Sequence, residues 1–227
     1  MSRRLRVLEE MGLSPVWVLR QKETPPVSAK AAETGGSREE RIARMQWPEL
    51  KATVKDCTAC GLRAGCTQTV FGVGDEAADW LLVGEAPGAE EDRLGEPFVG
   101  QAGKLLDSML AALGLARGRN VYIANVLKCR PPGNRNPEPG EVATCSPYLR
   151  RQIELIQPKL VLAMGRFAVQ TLLNTDATIG SLRGKVHAYH GVPLVVTYHP
   201  AYLLRNLPDK AKAWADLVFA RKTIAGG

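Results

Sequence analysis

Four short apolar runs recur along the chain: WLLVG (80–84), VYIANVL (121–127), KLVLAMG (159–165) and PLVVTYH (193–199). Each is short, rich in residues that suit a pleated surface and bounded by turn formers, which predicts buried strands. Helical patterns lie between them, in GQAGKLLDSMLAALG, EPGEVATCSPYLRRQIELI and GRFAVQTLLN, and KAKAWADLVFARKTI follows the last run. Strands alternating with helices build a parallel sheet covered on both faces. The expected fold is therefore α/β, three α/β/α layers around a central four-stranded parallel sheet.

In such sheets ligands bind outside the carboxyl ends of the strands. The distinctive loops all start there: GEAPG after the first strand, NVLKCRPPGNRNP after the second and HPAYLLRN after the fourth. Residues 1–45 have no clear period and include ETPPVSAKAAETGGSREE. They read as a flexible arm preceding a single domain at 46–227.

Charge adds a direction. The net charge of +7 and pI near 9.3 favour a polyanionic partner without requiring one. Arg3, Arg4, Arg6, Arg20 and Lys22 make the arm basic, as a solvated tail or as an added DNA contact. Glu9 and Glu10 interrupt any signal-peptide core and no apolar run nears 18 residues, so a cytoplasmic protein that does not span a membrane is expected.

The first loop, GEAPGAEED, has the glycines of a phosphate cradle but the wrong charge. A Walker loop needs GxxxxGK[ST] and a dinucleotide fingerprint GxGxxG; neither is present. Carboxylates near a phosphate repel it by a few kcal/mol in a partly buried site. Glu85, Glu90, Glu91 and Asp92 suit instead a cationic transition state, a polarised water or hydrogen-bond donors on a base. The plainer reading is an acidic loop capping a helix. Phe98, in the same connection, is either core or a platform for a planar ring.

Cys57 and Cys60 form a C-x2-C pair, Cys129 and Cys145 lie further on, and Cys66 is a fifth thiol. In a reducing compartment these point to a metal site more than to disulfides. Spacing leaves zinc and an iron–sulfur cluster both open. In the second loop Lys128, Arg130 and Arg135 suit phosphate contacts. Asn125, at a strand end, offers a donor and an acceptor to a base edge, although such an Asn also serves as a cap or turn, and Asn134 more so. In the third loop His199 ends a buried strand, whereas His187 and His190 receive no role. Leu203 and Leu204 either pack beneath the loop or wedge into a base stack, with Arg205 on phosphate.

In order and spacing, GEAPGAEED, EPFVGQAGKLL, NVLKCRPPGNRNP and HPAYLLRN resemble the family 4 uracil-DNA glycosylases over about residues 48 to 224. The resemblance implies the uracil-glycosylase α/β/α fold and excision of uracil from single- or double-stranded DNA by a monomer. It implies a [4Fe–4S] cluster on Cys57, Cys60, Cys129 and Cys145, with Cys66 free. It matches Phe98 to stacking on flipped uracil, Asn125 to its polar edge and His199 to the negative charge growing on its oxygen. Glu85 and Asn134 match water handling, Ala86 a variable position that tunes it, and Glu91 the wall near uracil C5. The chain lacks the histidine near KCRPP that marks a relative trapped covalently on DNA, so turnover is expected. The alternatives are a superfamily glycosylase for hypoxanthine or xanthine, a cluster-bearing DNA-binding module with little catalysis, and an unrelated zinc hydrolase.

Overall fold

The computed structural model describes residues 10–12 and 36–226. The basic residues Arg3, Arg4, Arg6, Arg20 and Lys22, and with them the idea of an added DNA contact, lie outside the described residues. The expected arm runs too far. Arg38–Arg44 is a helix (α1) within a compact unit spanning Ser37–Gly227. Ser37 and Glu40 close a capping box in SREE, and Arg38 Nη1 donates to Thr144 O at 2.8 Å. Only Ile42 of α1 is buried, so there was no apolar period to detect; the capping residues were the available signal.

The remaining helices and strands in chain order are α2 (Trp47–Lys55), α3 (Leu62–Gly65), β1 (Val73–Gly74), β2 (Trp80–Gly84), α4 (Ala89–Leu94) and α5 (Gln101–Ala112). They continue with β3 (Val121–Asn125), α6 (Pro139–Ile156), β4 (Leu160–Met164), α7 (Arg166–Leu173) and α8 (Ile179–Leu182). The last are β5 (Val186–Tyr189), β6 (Val192–Thr197), α9 (Pro200–Arg205) and α10 (Asp209–Ala225). The sheet has six strands in the order β1-β3-β2-β4-β6-β5, not four. The four expected strands form its parallel centre, and β1 and β5 add antiparallel edges. β1 is two residues long and β5 half exposed, which is why neither shows as a buried apolar run.

Every residue of β2, β3 and β4 is buried, so successive side chains feed opposite cores. Leu81, Val83, Val161 and Ala163 pack with α6 and α7. Trp80, Leu82, Leu160 and Leu162 pack with Leu106 and Leu110 of α5 and Leu217 of α10. A third cluster joins Ile42, Leu50, Val54 and Leu62 to Cys129, Cys145 and Tyr148. The strand order turns back at β2, the switch point where an open sheet leaves a crevice above its strand ends. There β2 ends at Gly84, paired with Asn125 at the end of β3.

Candidate active site

A cleft of about 450 Å³ opens at these strand ends. Glu85, Ala86, Glu91, Phe98, Asn125, Asn134, Arg135, His199 and Arg205 all line it, so residues spread over 121 positions of sequence share one wall. Another cavity of the same volume lies beside α6, between Glu39, Arg150, Arg151 and His190. Volume alone does not choose between them. The chemistry does, because only the first gathers a carboxylate, a free amide and an imidazole at strand ends.

Asn125 is 3% exposed; among the described residues its side-chain amide has no hydrogen-bond partner. Its place depends on Gly84: a Cβ there would stand 2.5 Å from Asn125 Oδ1 and 2.7 Å from Phe98 Cζ. The strand-end glycine thus gives clearance for two site residues instead of amides for a phosphate. Beyond the strands, Val126 N donates to Gly84 O and Leu127 N to Glu85 O, both at 3.0 Å. This ladder sets Glu85 against the Asn125 segment. Burial raises the Glu85 carboxyl to about 7, against the pull of Arg166.

His199 caps α9, where its Nδ1 accepts from Ala201 N at 3.1 Å. Burial lowers it to about 4, with Glu91 opposing and Arg205 adding to the shift. The ring is therefore neutral at physiological pH. Because Nδ1 is an acceptor, the proton resides on Nε2, which is left as a donor. Gly165, at φ +90°, makes room for it: a Cβ there would stand 2.8 Å from His199 Cβ. Deeper down, Thr197 Oγ1 donates to the buried Asp216 at 3.0 Å, and Arg183 pairs with the same carboxylate at 2.7 Å.

Phe98 lies against His199, ring centroids 5.3 Å apart at 28°. Its backbone is in the left-handed region (φ 55°), unfavourable for an aromatic residue. Two features hold it. Arg117 donates to Pro97 O and Phe98 O, both at 2.8 Å, and Gly103 lets the Phe98 carbonyl settle onto α5, since a Cβ there would stand 1.7 Å from that oxygen. Sequence reasoning missed Arg117, which sits in the unremarkable ARGRN turn and offers no motif.

The acidic loop divides its carboxylates. Glu91 accepts from Gly88 N (3.1 Å), Val99 N (3.1 Å) and Gly100 N (3.4 Å), fixing the entry to α4 and α5. Asp92 is buried and accepts from Thr67 N and Thr67 Oγ1, the latter at 2.7 Å. Glu90 pairs with Arg93 on the surface.

Two expectations need correction and two need narrowing. Lys128 is 1% exposed and cannot reach a phosphate; its Nζ donates to Asn125 O at 2.9 Å and Gln152 Oε1 at 2.6 Å. Burial lowers its ammonium to about 8, with Cys145 opposing. Leu203 is also buried, because a six-residue helix turns it inward beneath the loop, whereas Leu204 is 42% exposed and projects outward. Arg135 faces Glu138 and Glu141, so its charge is largely met within the protein. Arg130 donates to Asn134 Oδ1 at 2.7 Å, orienting that side chain at the cleft edge. His187 and His190 sit on the β5–β6 hairpin, and neither lines the cleft.

Cys57, Cys60, Cys129 and Cys145 line a second, smaller cavity with Lys128 and Tyr148. Burial pushes the Cys145 thiol up to about 11 against the pull of Lys128, and burial with Cys66 and the other thiols raises Cys129 further. Among the described residues no group of three His, Cys, Asp or Glu side chains is set to hold a single metal ion; the four thiols line one cavity. Two cations flank them. The backbone N–H of Lys128 donates to Cys145 Sγ at 3.3 Å and its ammonium interacts with the same sulfur through charge. Arg38, held above its usual range beside Tyr148 and Cys57, has its buried Nη2 without a partner among the described residues. Soft donors beside unmatched positive charge fit a thiolate-bound, anionic group.

Known proteins give the same reading. The profile of the "Uracil DNA glycosylase superfamily" matches residues 71–218. The type-4 uracil-DNA glycosylase of Archaeoglobus fulgidus is 48% identical over 164 residues, 69% of this chain and 82% of that protein. That of Pyrobaculum aerophilum is 41% identical, covering 76% of this chain and 92% of its own length. A type-5 uracil-DNA glycosylase of the same organism is 36% identical over 59% of this chain and 66% of that protein. With a strand-end cleft and a four-cysteine cavity on one α/β scaffold, this chain belongs to the uracil-DNA glycosylase superfamily, on its type-4 branch.

Proposed function

We propose that the protein excises uracil from DNA, hydrolysing the N-glycosidic bond and leaving an abasic site. One observation carries the residue assignment: an unpartnered Asn125 amide, a neutral His199 with its proton on Nε2 and the Glu85 carboxyl line one cleft. The amide can accept from uracil N3–H and donate to O4; cytosine presents the opposite pattern. As the bond breaks, the sugar gains cationic character and the base negative charge. His199 Nε2–H donates to the base oxygen, and one such donor is worth about 3 kcal/mol. An ionised Glu85 favours the sugar cation and polarises the attacking water, by analogy with glycoside hydrolysis. Asn134, oriented by Arg130, assists with that water.

Glu91 acts through the backbone it holds. By fixing Gly88, Val99 and Gly100 it makes the wall beside the base rigid enough to reject a C5 methyl. Ala86 leaves space above Glu85. Flipping the base costs a few kcal/mol; Leu204 filling the gap and Arg205 on phosphate offset it. Arg130 and Arg135 serve more as braces at the cleft edge than as free phosphate ligands.

Cys57, Cys60, Cys129 and Cys145 would hold a [4Fe–4S] cluster. Four thiols line one cavity with no histidine or carboxylate among its lining residues, which supplies the all-sulfur ligand set such a cluster takes. When bound, it ties the segment before β1 to the loop after β3. Incubating the protein with U:G, U:A and single-stranded uracil DNA, then cleaving abasic sites with alkali, tests the activity. Cleavage of uracil strands alone is expected. Uncut uracil strands, or cleavage only of strands carrying hypoxanthine or xanthine in place of uracil, would overturn it. Iron and sulfide analysis with a visible absorption spectrum tests the cluster, and stoichiometric zinc in a colourless protein would exclude it.

A further inference from the structure

Lys128 is a fully buried cation that the proposed chemistry does not use, and four interactions converge on it. Its backbone N–H donates to Cys145 Sγ at 3.3 Å. Its carbonyl accepts from Val70 N at 2.7 Å, on the segment that follows the cysteine pair. Its ammonium donates to Asn125 O and to Gln152 Oε1, and Gln152 is itself braced on Phe71 O at 3.0 Å. No carboxylate pairs with it among the described residues. A buried ammonium persists only where both its donors and its charge are met. Here carbonyl and amide oxygens meet the donors, and Cys145, a thiolate once it holds a metal group, is the source of negative charge beside it.

We propose that Lys128 is a positioning residue that links the cysteine centre to base recognition. Its ammonium tethers the Asn125 carbonyl, fixing the strand end from which the Asn125 amide reaches the base, and the thiolate-bound group is the counter-charge that keeps it there. The inference rests on the assignment of Asn125 to the base and of the cysteines to a cluster. It predicts that two cavities with separate linings act as one unit.

The test is Lys128→Met in the cluster-loaded enzyme, a change that keeps the shape and removes the charge. Two DNAs are compared, one carrying a non-hydrolysable uracil nucleotide and one an abasic analogue. A hydrogen bond to a charged group predicts that preference for the uracil analogue falls about ten- to a hundredfold, with affinity for abasic DNA unchanged. The cluster's reduction potential should also move lower, because a nearby positive charge has gone. A preference within about twofold of wild type, or an unmoved potential, would overturn the proposal. Gln152→Leu provides a second variant should Lys128→Met fail to fold. It removes the brace without touching a cysteine neighbour and should lower the same preference, and an unchanged preference there counts equally against the proposal. Asn125→Ala separates the two ideas. Should it keep wild-type preference, the cleft assignment fails; should it lose preference while Lys128→Met does not, only the tether fails.

Discussion

The loop after β2 carries four carboxylates in eight residues, Glu85 to Asp92, and the loop after β3 carries three basic side chains in eight, Lys128 to Arg135. Opposite in sign, they are used alike. Glu91 and Asp92 accept from backbone N–H groups, and Glu90 pairs with Arg93. Lys128 holds a carbonyl inside the protein, Arg130 orients Asn134 and Arg135 meets two glutamates. Most of each loop's charge thus builds the loop. Three groups at the cleft lack a hydrogen-bond partner among the described residues: the Glu85 carboxyl, the Asn125 amide and the second ring nitrogen of His199. Counting charges in a loop overstates its contacts, because a tight turn has many backbone groups to satisfy.

The sharpest test of that division compares unpartnered with partnered groups. Removing His199 or Asn125 by alanine should lower single-turnover uracil excision by about 10²- to 10³-fold. Glu90→Gln, which only opens a surface ion pair, should stay near wild type. Equal losses would break the comparison. Next is Gly84→Ala, where the new methyl meets Asn125 and Phe98; a displacement of about 1 Å predicts roughly a hundredfold loss, with circular dichroism confirming a retained fold. An unaffected rate would mean that clearance at the strand end does not matter.

A smaller effect separates the carboxylates by pH. In the proposed role Glu85 acts as the anion, so with its carboxyl near 7 activity should fall as pH drops through 7, about tenfold lower at pH 6 than on the plateau. Glu85→Gln should flatten this limb at a lower rate. His199, lowered to about 4, should add no limb near 6.5. The smallest effect divides the arginines. Arg205→Ala should reduce the salt slope of DNA binding by about one, and Arg135→Ala should change it less because its charge is already met by Glu138 and Glu141.

The four central strands and the helices α5, α6, α7 and α10 were legible because each buried strand must be apolar on both faces and each long covering helix apolar on one; the shorter helices gave no such period. α1, β1 and β5 were not, since none has enough buried apolar residues to make a pattern. The cleft was legible as three strand-end loops, because parallel topology brings those ends together wherever the intervening helices run. Lys128 and Leu203 were misread for one shared reason. A basic or apolar residue in a loop faces solvent by default, and only packing against Gln152 or beneath α9 reveals that it points inward.

The sequence by itself determined the α/β class and the gathering of Glu85, Asn125 and His199 at one sheet edge; the set of four cysteines came from the family resemblance. Periodicity and order along the chain suffice for the first two, since they decide which ends meet. Only the tertiary structure decided which polar groups are free. That His199 is neutral with its proton on Nε2, that Glu91 is occupied by backbone donors, that Arg117 and Gly103 hold Phe98 in its left-handed conformation, and that Lys128 joins two cavities all depend on hydrogen bonds and burial between distant segments. These arise from the packing environment, which local sequence does not encode.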